Sequence, residues 1–84
     1  MSNCFVYVLG TMTRHGPLTY VGWTHDIACR LAQHNAGQGA RFTRGRVWVL
    51  LHTERLKSKR AAMSREWRLK RDRMLRRSLA ASIG

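Results

Sequence analysis

The chain has 84 residues, sixteen of them lysine or arginine and only four aspartate or glutamate, for a formal net charge of +12. That length holds a single domain burying roughly 60–65% of its unfolded surface, and no apolar run approaches the ~18 residues of a membrane span. The charge calls for a polyanionic partner. Nucleic acid fits better than a membrane surface, because arginines lie on nearly every face of the final third rather than opposite a clean apolar stripe.

Met1-Ser2-Asn3 lacks the charged start and apolar stretch of a signal peptide, which predicts a cytoplasmic protein. Cys4 and Cys29 are the only cysteines and form no CxxC pair. A zinc site is therefore excluded by ligand count, and the expectation is two free thiols rather than a disulfide.

Residues Cys4 to Thr11 (CFVYVLGT) are rich in β-branched and aromatic types and predict a strand. Met12 to Leu18 contain a Gly-Pro pair and predict a turn. Thr19 to Thr24 (TYVGWT) predict a second strand, paired with the first as a hairpin. A hairpin symmetric about Thr13 and Arg14 would set Tyr7 directly opposite Tyr20 on one face.

Thr24 or Asp26 can cap a helix running to about His34, which Asn35 and Gly37 terminate. Its apolar residues are Ile27, Ala28, Leu31 and Ala32, and Arg30 and His34 form an i,i+4 pair at the border of that stripe. Gly37 to Arg46 (GQGARFTRGR) read as a glycine-rich basic loop. Its glycines match neither a P-loop nor a dinucleotide fingerprint. Val47 to Thr53 (VWVLLHT) are nearly all apolar and predict a third strand, central or covered on both faces.

Ser58 can cap a second helix in which Ala62, Glu66, Leu69 and Arg73 share one side. Leu75, Leu79 and Ile83 continue the helical spacing. Eleven of the sixteen basic residues fall between Arg55 and Arg77, so this region is expected to provide most of any sequence-independent affinity. The order β-β-α-β-α(-α) predicts an α/β (α+β) sandwich, a three-stranded and largely antiparallel sheet flanked by helices. We expect one domain over residues 1–84, with a core at about 4–72 and a basic C-terminal helical extension at 73–84.

Glu66 is the most informative position. A carboxylate among apolar helix neighbours costs free energy unless it is paired or holds a metal. It could pair with Lys70 at i,i+4, which contributes only about 0.3–0.5 kcal/mol at a surface. With no sulfur or second acid nearby in sequence, a metal there would be hard, Mg²⁺ or Mn²⁺, completed by water and phosphate.

Taken together, Val6-Tyr7-Val8, Tyr20-Val21-Gly22, the run RLAQHNAGQGARFTRGR with Arg30 and His34, and SKRAAMSREWRLK with Glu66 resemble the GIY-YIG nuclease domain family, small stand-alone type. The likeness covers roughly residues 4 to 72. The glycine that opens the first motif is Val6 here, and the late asparagine of some larger members has no counterpart. The resemblance implies a metal-dependent DNA endonuclease with catalytic residues Tyr7, Tyr20, Arg30, His34 and Glu66. It implies one divalent ion on Glu66 and a tyrosine general base, for which Tyr7 is carried over. A phenol has an ordinary pKa of about 10, so Arg30 and His34 are expected as the cationic neighbours that lower it.

Each residue also has a plainer reading. Tyr7 and Tyr20 would make a cross-strand core pair, Arg30 a surface residue with a buried stem, and His34 a helix-end partner. Arg41, Phe42, Arg44, Arg46 and Lys70 are expected to grip phosphates and stack bases, with Phe42 alternatively anchoring its loop. Trp23, Trp48 and Trp67 are expected in the core or at its rim, and His15, His25 and His52 receive no role. DNA, branched or flap forms included, is the expected partner ahead of RNA. The competing reading is a basic nucleic-acid-binding module with a vestigial nuclease site.

Overall fold

A computed structural model describes residues 3–83. Strand β1 (Cys4–Thr13) and strand β2 (Gly16–Thr24) form an antiparallel hairpin, followed by helix α1 (Ile27–Asn35), a 3-10 turn (Arg41–Thr43), strand β3 (Val49–Leu56), and helices α2 (Lys59–Arg71) and α3 (Arg73–Ala80). The sheet order is β2-β1-β3, antiparallel throughout. The α+β sandwich expected from the chain order is the fold.

The hairpin is tighter than the sequence suggested. Pairing runs out to Thr13 opposite Gly16, so Arg14 and His15 alone make the loop. Gly16 takes φ +111° there, a conformation closed to most side-chain-bearing residues. The register therefore sits two residues from the expected one. Tyr7 faces Gly22 and Leu9 faces Tyr20, so the two tyrosines are diagonal neighbours on one face, their ring centroids 6.4 Å apart.

The third strand is the larger correction. It begins at Val49 rather than Val47 and lies at the sheet edge, while β1 is the central strand. Its register shifts between Val8 and Leu9, which pair with His52 and Leu50 and leave Leu51 as an extra residue. Val47, Val49 and Leu50 are exposed. The apolar run that suggested a covered strand instead delivers one buried side chain, Trp48, from just outside the strand.

Alternation along β1 splits the core in two. Cys4, Val6 and Val8 face α2 and α3, packing with Val21, Ala62, Leu69, Leu75 and Leu79. Tyr7 and Leu9 face the other way, with Trp48, Tyr20, Ile27 and Leu31. Burying about 1.5–3 kcal/mol worth of each large apolar side chain on both faces makes β1 the spine of the domain. The helix expected as an extension past residue 72 thus contributes Leu75, Leu79 and the buried Ala80 to the core.

Helix starts are set by acceptors. Asp26 accepts from Cys29 N, Ser58 from Ala61 N, and Asp72 from Leu75 N. Both cysteines are free, Cys4 buried and Cys29 exposed. Among the described residues no helix is long and apolar enough to cross a membrane.

Candidate active site

Tyr7 stands on the central strand, yet its phenol leans across β2 through the space above Gly22. A Cβ added at Gly22 would lie 2.5 Å from the Tyr7 oxygen and 2.7 Å from Cζ. The glycine of the Tyr20-Val21-Gly22 motif is there for Tyr7. Without it, the phenol has no path over the neighbouring strand.

The buried end of that phenol meets His34, the one fully buried residue of α1, with 2.9 Å between Tyr7 Oη and His34 Nε2. On the far side of the ring, Nδ1 lies 2.8 Å from Thr43 Oγ1, and Thr43 Oγ1 in turn donates to the Ala40 carbonyl over 2.8 Å. A hydroxyl has one proton. Thr43 gives it to Ala40, so His34 Nδ1 must donate to Thr43, leaving Nε2 as an acceptor for the Tyr7 O–H. The network assigns tautomer and direction together. Gly39 makes room, since a Cβ there would overlap the His34 ring.

Burial pushes the Tyr7 pKa above its ordinary value; the adjacent Arg30 guanidinium opposes this, and the charges of Tyr20 and Glu66 add to it. The His34 pKa is lowered, by burial first and by Arg30 second. The expected lowering of the phenol by two cationic neighbours is thus reversed. Desolvation outweighs Arg30 at the phenol, and it keeps the imidazole neutral.

Arg30, one helical turn before His34, donates through one Nη to Gln33 Oε1 at 3.1 Å. Its Nε is shut off from solvent and has no acceptor among the described residues. Glu66 stands on α2, and its charge is the smallest of the influences on the Tyr7 phenol. Its side chain is 23% exposed, and Lys70 Nζ lies 3.4 Å from Oε1. The i,i+4 pair anticipated from the sequence is therefore present, with a second carboxylate oxygen left over.

No cluster of three or more His, Cys, Asp or Glu side chains exists among the described residues. The donor set excludes an all-protein metal cage. It fits a hard divalent ion held by one carboxylate with water and substrate phosphate, the usual manner of Mg²⁺.

Tyr20 is the hub of an aromatic group at the mouth. Its ring centroid lies 5.0 Å from that of His34 and 6.2 Å from that of Phe42, nearly parallel to the latter. Phe42 remains 47% exposed, so it lids Tyr20 rather than anchoring the loop in the core. Arg46 lies over the outer face of Phe42 and donates to its carbonyl. Arg41, Arg44 and Arg46 are all exposed. Trp48 is buried, whereas Trp67 is exposed beneath the Arg71 guanidinium, 4.1 Å away.

Sequence reasoning missed Thr43, Asn35 and the partners of Glu54. Asn35 clamps Trp48 by accepting from its N–H and donating to its carbonyl. Glu54 takes two hydrogen bonds from Arg65 and one contact from His52, tying the edge strand to α2. The i,i+2 spacing of His52 and Glu54 was the only available signal. Of the four acids, Asp26 and Asp72 cap helices and Glu54 clamps α2. Glu66 alone has no structural duty beyond Lys70.

The family model described as the GIY-YIG catalytic domain matches residues 3–76. The chain belongs to this family. GIY-YIG membership implies a nuclease acting on nucleic acid, and nucleases of the family are generally metal-dependent. Among relatives, a UPF0213 protein of Halobacterium salinarum is 56% identical over 52 residues, 61% of this chain and 68% of its own. A UPF0213 protein of Streptococcus pyogenes is 43% identical over 79 residues, 93% of this chain and 83% of its own. The solution NMR structure of a UPF0213 protein from Bacillus halodurans is similar with a TM-score of 0.50 at 34% identity, covering 98% of this chain and 86% of that one. This GIY-YIG domain is thus of the small, stand-alone type.

Proposed function

We propose that the protein is a metal-dependent DNA endonuclease that hydrolyses phosphodiester bonds with Tyr7 as general base. One observation carries the reading: the Tyr7 hydroxyl donates to a neutral His34 whose other nitrogen is committed to Thr43. The lone pairs of the Tyr7 oxygen are then available to a water. As water attacks phosphorus, its proton passes to Tyr7 while the Tyr7 proton passes to His34 Nε2. No free phenolate forms, so the raised phenol pKa is no obstacle. The resulting imidazolium keeps its Nδ1–H bond to Thr43.

Arg30 supplies the electrostatic half. Its guanidinium lies beside Tyr7, and its Nη groups would donate to a non-bridging oxygen of the scissile phosphate as charge builds in the transition state. Tyr20 packs against His34 and holds the ring in place. Mg²⁺ or Mn²⁺ on Glu66 would act as Lewis acid beside the leaving oxygen. Arg41, Phe42, Arg44, Arg46 and Lys70 border the mouth and bind the flanking strand. We place the activity in the cytoplasm, on branched or flap DNA of the kind handled in repair and recombination.

A second reading, a nucleic-acid-binding module with a vestigial site, is favoured only by the Glu66–Lys70 pair, which partly neutralises the carboxylate. Labelled duplex, flap and junction DNA incubated with Mg²⁺, Mn²⁺ or chelator separates the two. The nuclease reading expects metal-dependent cutting, lost in Glu66→Ala and Tyr7→Phe while DNA binding persists. Tight binding without cutting under any metal establishes the module, and equal cutting by the variants defeats the assigned site.

A further inference from the structure

Two surface depressions adjoin on the side of the site away from α1. The smaller, of about 230 Å³, is lined by Thr19, Tyr20, Val21, Phe42, Lys70 and Arg76. The larger, of about 470 Å³, is lined by Pro17, Thr19, Arg73, Arg76, Arg77 and Ala80. They share Thr19 and Arg76, so they form one trough from the mouth of the site to α3. Four basic side chains line it and no acidic one does. Asp72, at the start of α3, is engaged with the Leu75 N–H.

The arginines divide by role. Arg76 is fixed: it donates to the Leu69 and Lys70 carbonyls at the end of α2 and to Thr19 Oγ1 on β2. It holds the trough in shape and adds charge to its wall. Arg73 and Arg77 are exposed, and neither has a hydrogen-bond or ion-pair partner among the described residues. Leu75 and Leu79 fasten the opposite side of α3 to the core, so the two free guanidinium groups sit on a rigid element. They are one turn apart, about 6 Å along the axis. A DNA strand presents a phosphate about every 3.4 Å of duplex axis, so the pair is far enough apart to meet two separate phosphates of one strand.

Resting on the nuclease reading above, we propose that this trough is the binding track for the DNA strand leaving the scissile position, with Arg73 and Arg77 each neutralising a backbone phosphate and Arg76 as the positioning residue between them. The strand crosses Phe42 and Lys70 and then follows α3. Recognition is of the phosphodiester backbone and so independent of sequence.

The test is binding of full-length protein to labelled duplex DNA in chelator, by fluorescence anisotropy from about 50 to 200 mM salt. Each neutralised phosphate contributes about 0.9 to the log–log salt slope. Arg73→Ala/Arg77→Ala is expected to reduce the slope by about 1.8 and to weaken binding about 60-fold at 0.1 M salt, for proteins that converge near 1 M. Arg73→Lys/Arg77→Lys should restore most of the slope. Arg60→Ala/Arg68→Ala removes the same charge from exposed positions of α2 and should change the slope by less than half as much. Circular dichroism checks that each variant is folded. Equal slopes for the two alanine pairs, or no change with Arg73→Ala/Arg77→Ala, would overturn the track. A wild-type protein that neither binds nor cuts DNA defeats the nuclease reading, and the track with it. Wild-type cutting with an unchanged slope in the variant defeats the track alone.

Discussion

The hydrogen bond between Tyr7 and His34 runs one way, from the phenol to Nε2, because Thr43 holds the other ring nitrogen as a donor. Removing Thr43 removes that constraint and nothing at the reacting atoms. Thr43→Val should leave DNA affinity intact and slow cutting by roughly five- to tenfold, since a buried hydrogen bond contributes about 1 kcal/mol. Tyr7→Phe should cost about 10²–10⁴-fold. Single-turnover cleavage rates at saturating protein test this order. Thr43→Val cutting as slowly as Tyr7→Phe would mean that Thr43 does more than set the tautomer.

The low pKa of buried His34 carries a pH signature. The unfolded chain takes up a proton at about 6.5, while the native ring resists it. Between the two values the unfolded state binds more protons, so stability rises with pH. The contribution is complete above pH 6.5 and is lost as pH falls toward the lower native value. Urea unfolding from pH 7.5 down to 5 should show this loss, and His34→Gln should be flatter over the same interval. Cutting should fall on the acid side with the same native pKa, below 6.5. A wild-type slope of opposite sign that vanishes in His34→Gln would contradict a neutral buried ring.

How much of this was readable beforehand depended on range. Period-two alternation placed Tyr7 and Tyr20 on one face correctly, because a shift of two residues preserves the face; the register itself hung on Gly16, whose left-handed φ moved the turn. The apolar run from Val47 suggested a covered strand, but composition does not say which strand is central. The bulge at Leu51 and the anchoring of Trp48 by Asn35 are long-range facts. Thr43 was silent for the same reason, its role arising nine residues from His34 across a glycine-rich loop. Glu66 stood out in the sequence because acids are scarce here, whereas Glu54, equally scarce, looked like ordinary strand polarity.

Glu54 should dominate the acid limb of stability. Arg65, foremost, and His52 hold its carboxyl at about 2, against an ordinary 4.5. A depressed acid stabilises the fold above its unfolded pKa, so the contribution is present above about 4.5 and disappears as pH falls to about 2. Arg65→Ala should cost about 1 kcal/mol at neutral pH, a modest figure because both side chains are about a quarter to a third exposed. Glu54→Gln should unfold with less pH dependence between 4.5 and 2 than the wild type. An Arg65→Ala variant whose acid limb matches the wild type would place the depression elsewhere.

Gly22 and Tyr7 should be energetically coupled, because the phenol occupies the volume a side chain at 22 would need. The nearest Tyr7 atom to a built Cβ is Oη at 2.5 Å, followed by Cζ at 2.7 Å. Gly22→Ala must push the ring off its path over β2, at a cost of about 1–3 kcal/mol, typical of overpacking. The displaced phenol also loses its bond to His34, so cutting should fall at least as far as in Tyr7→Phe. Deleting only the hydroxyl removes the closest overlap but not the second. The Tyr7→Phe/Gly22→Ala double variant should therefore be less destabilised than the sum of the singles, by about 0.5 kcal/mol or more. Thermal unfolding of the four proteins measures this, at about 4–8 °C per kcal/mol for a domain of this size. Strict additivity would mean that the phenol does not cross Gly22 in solution, and the route by which Tyr7 reaches His34 would have to be redrawn.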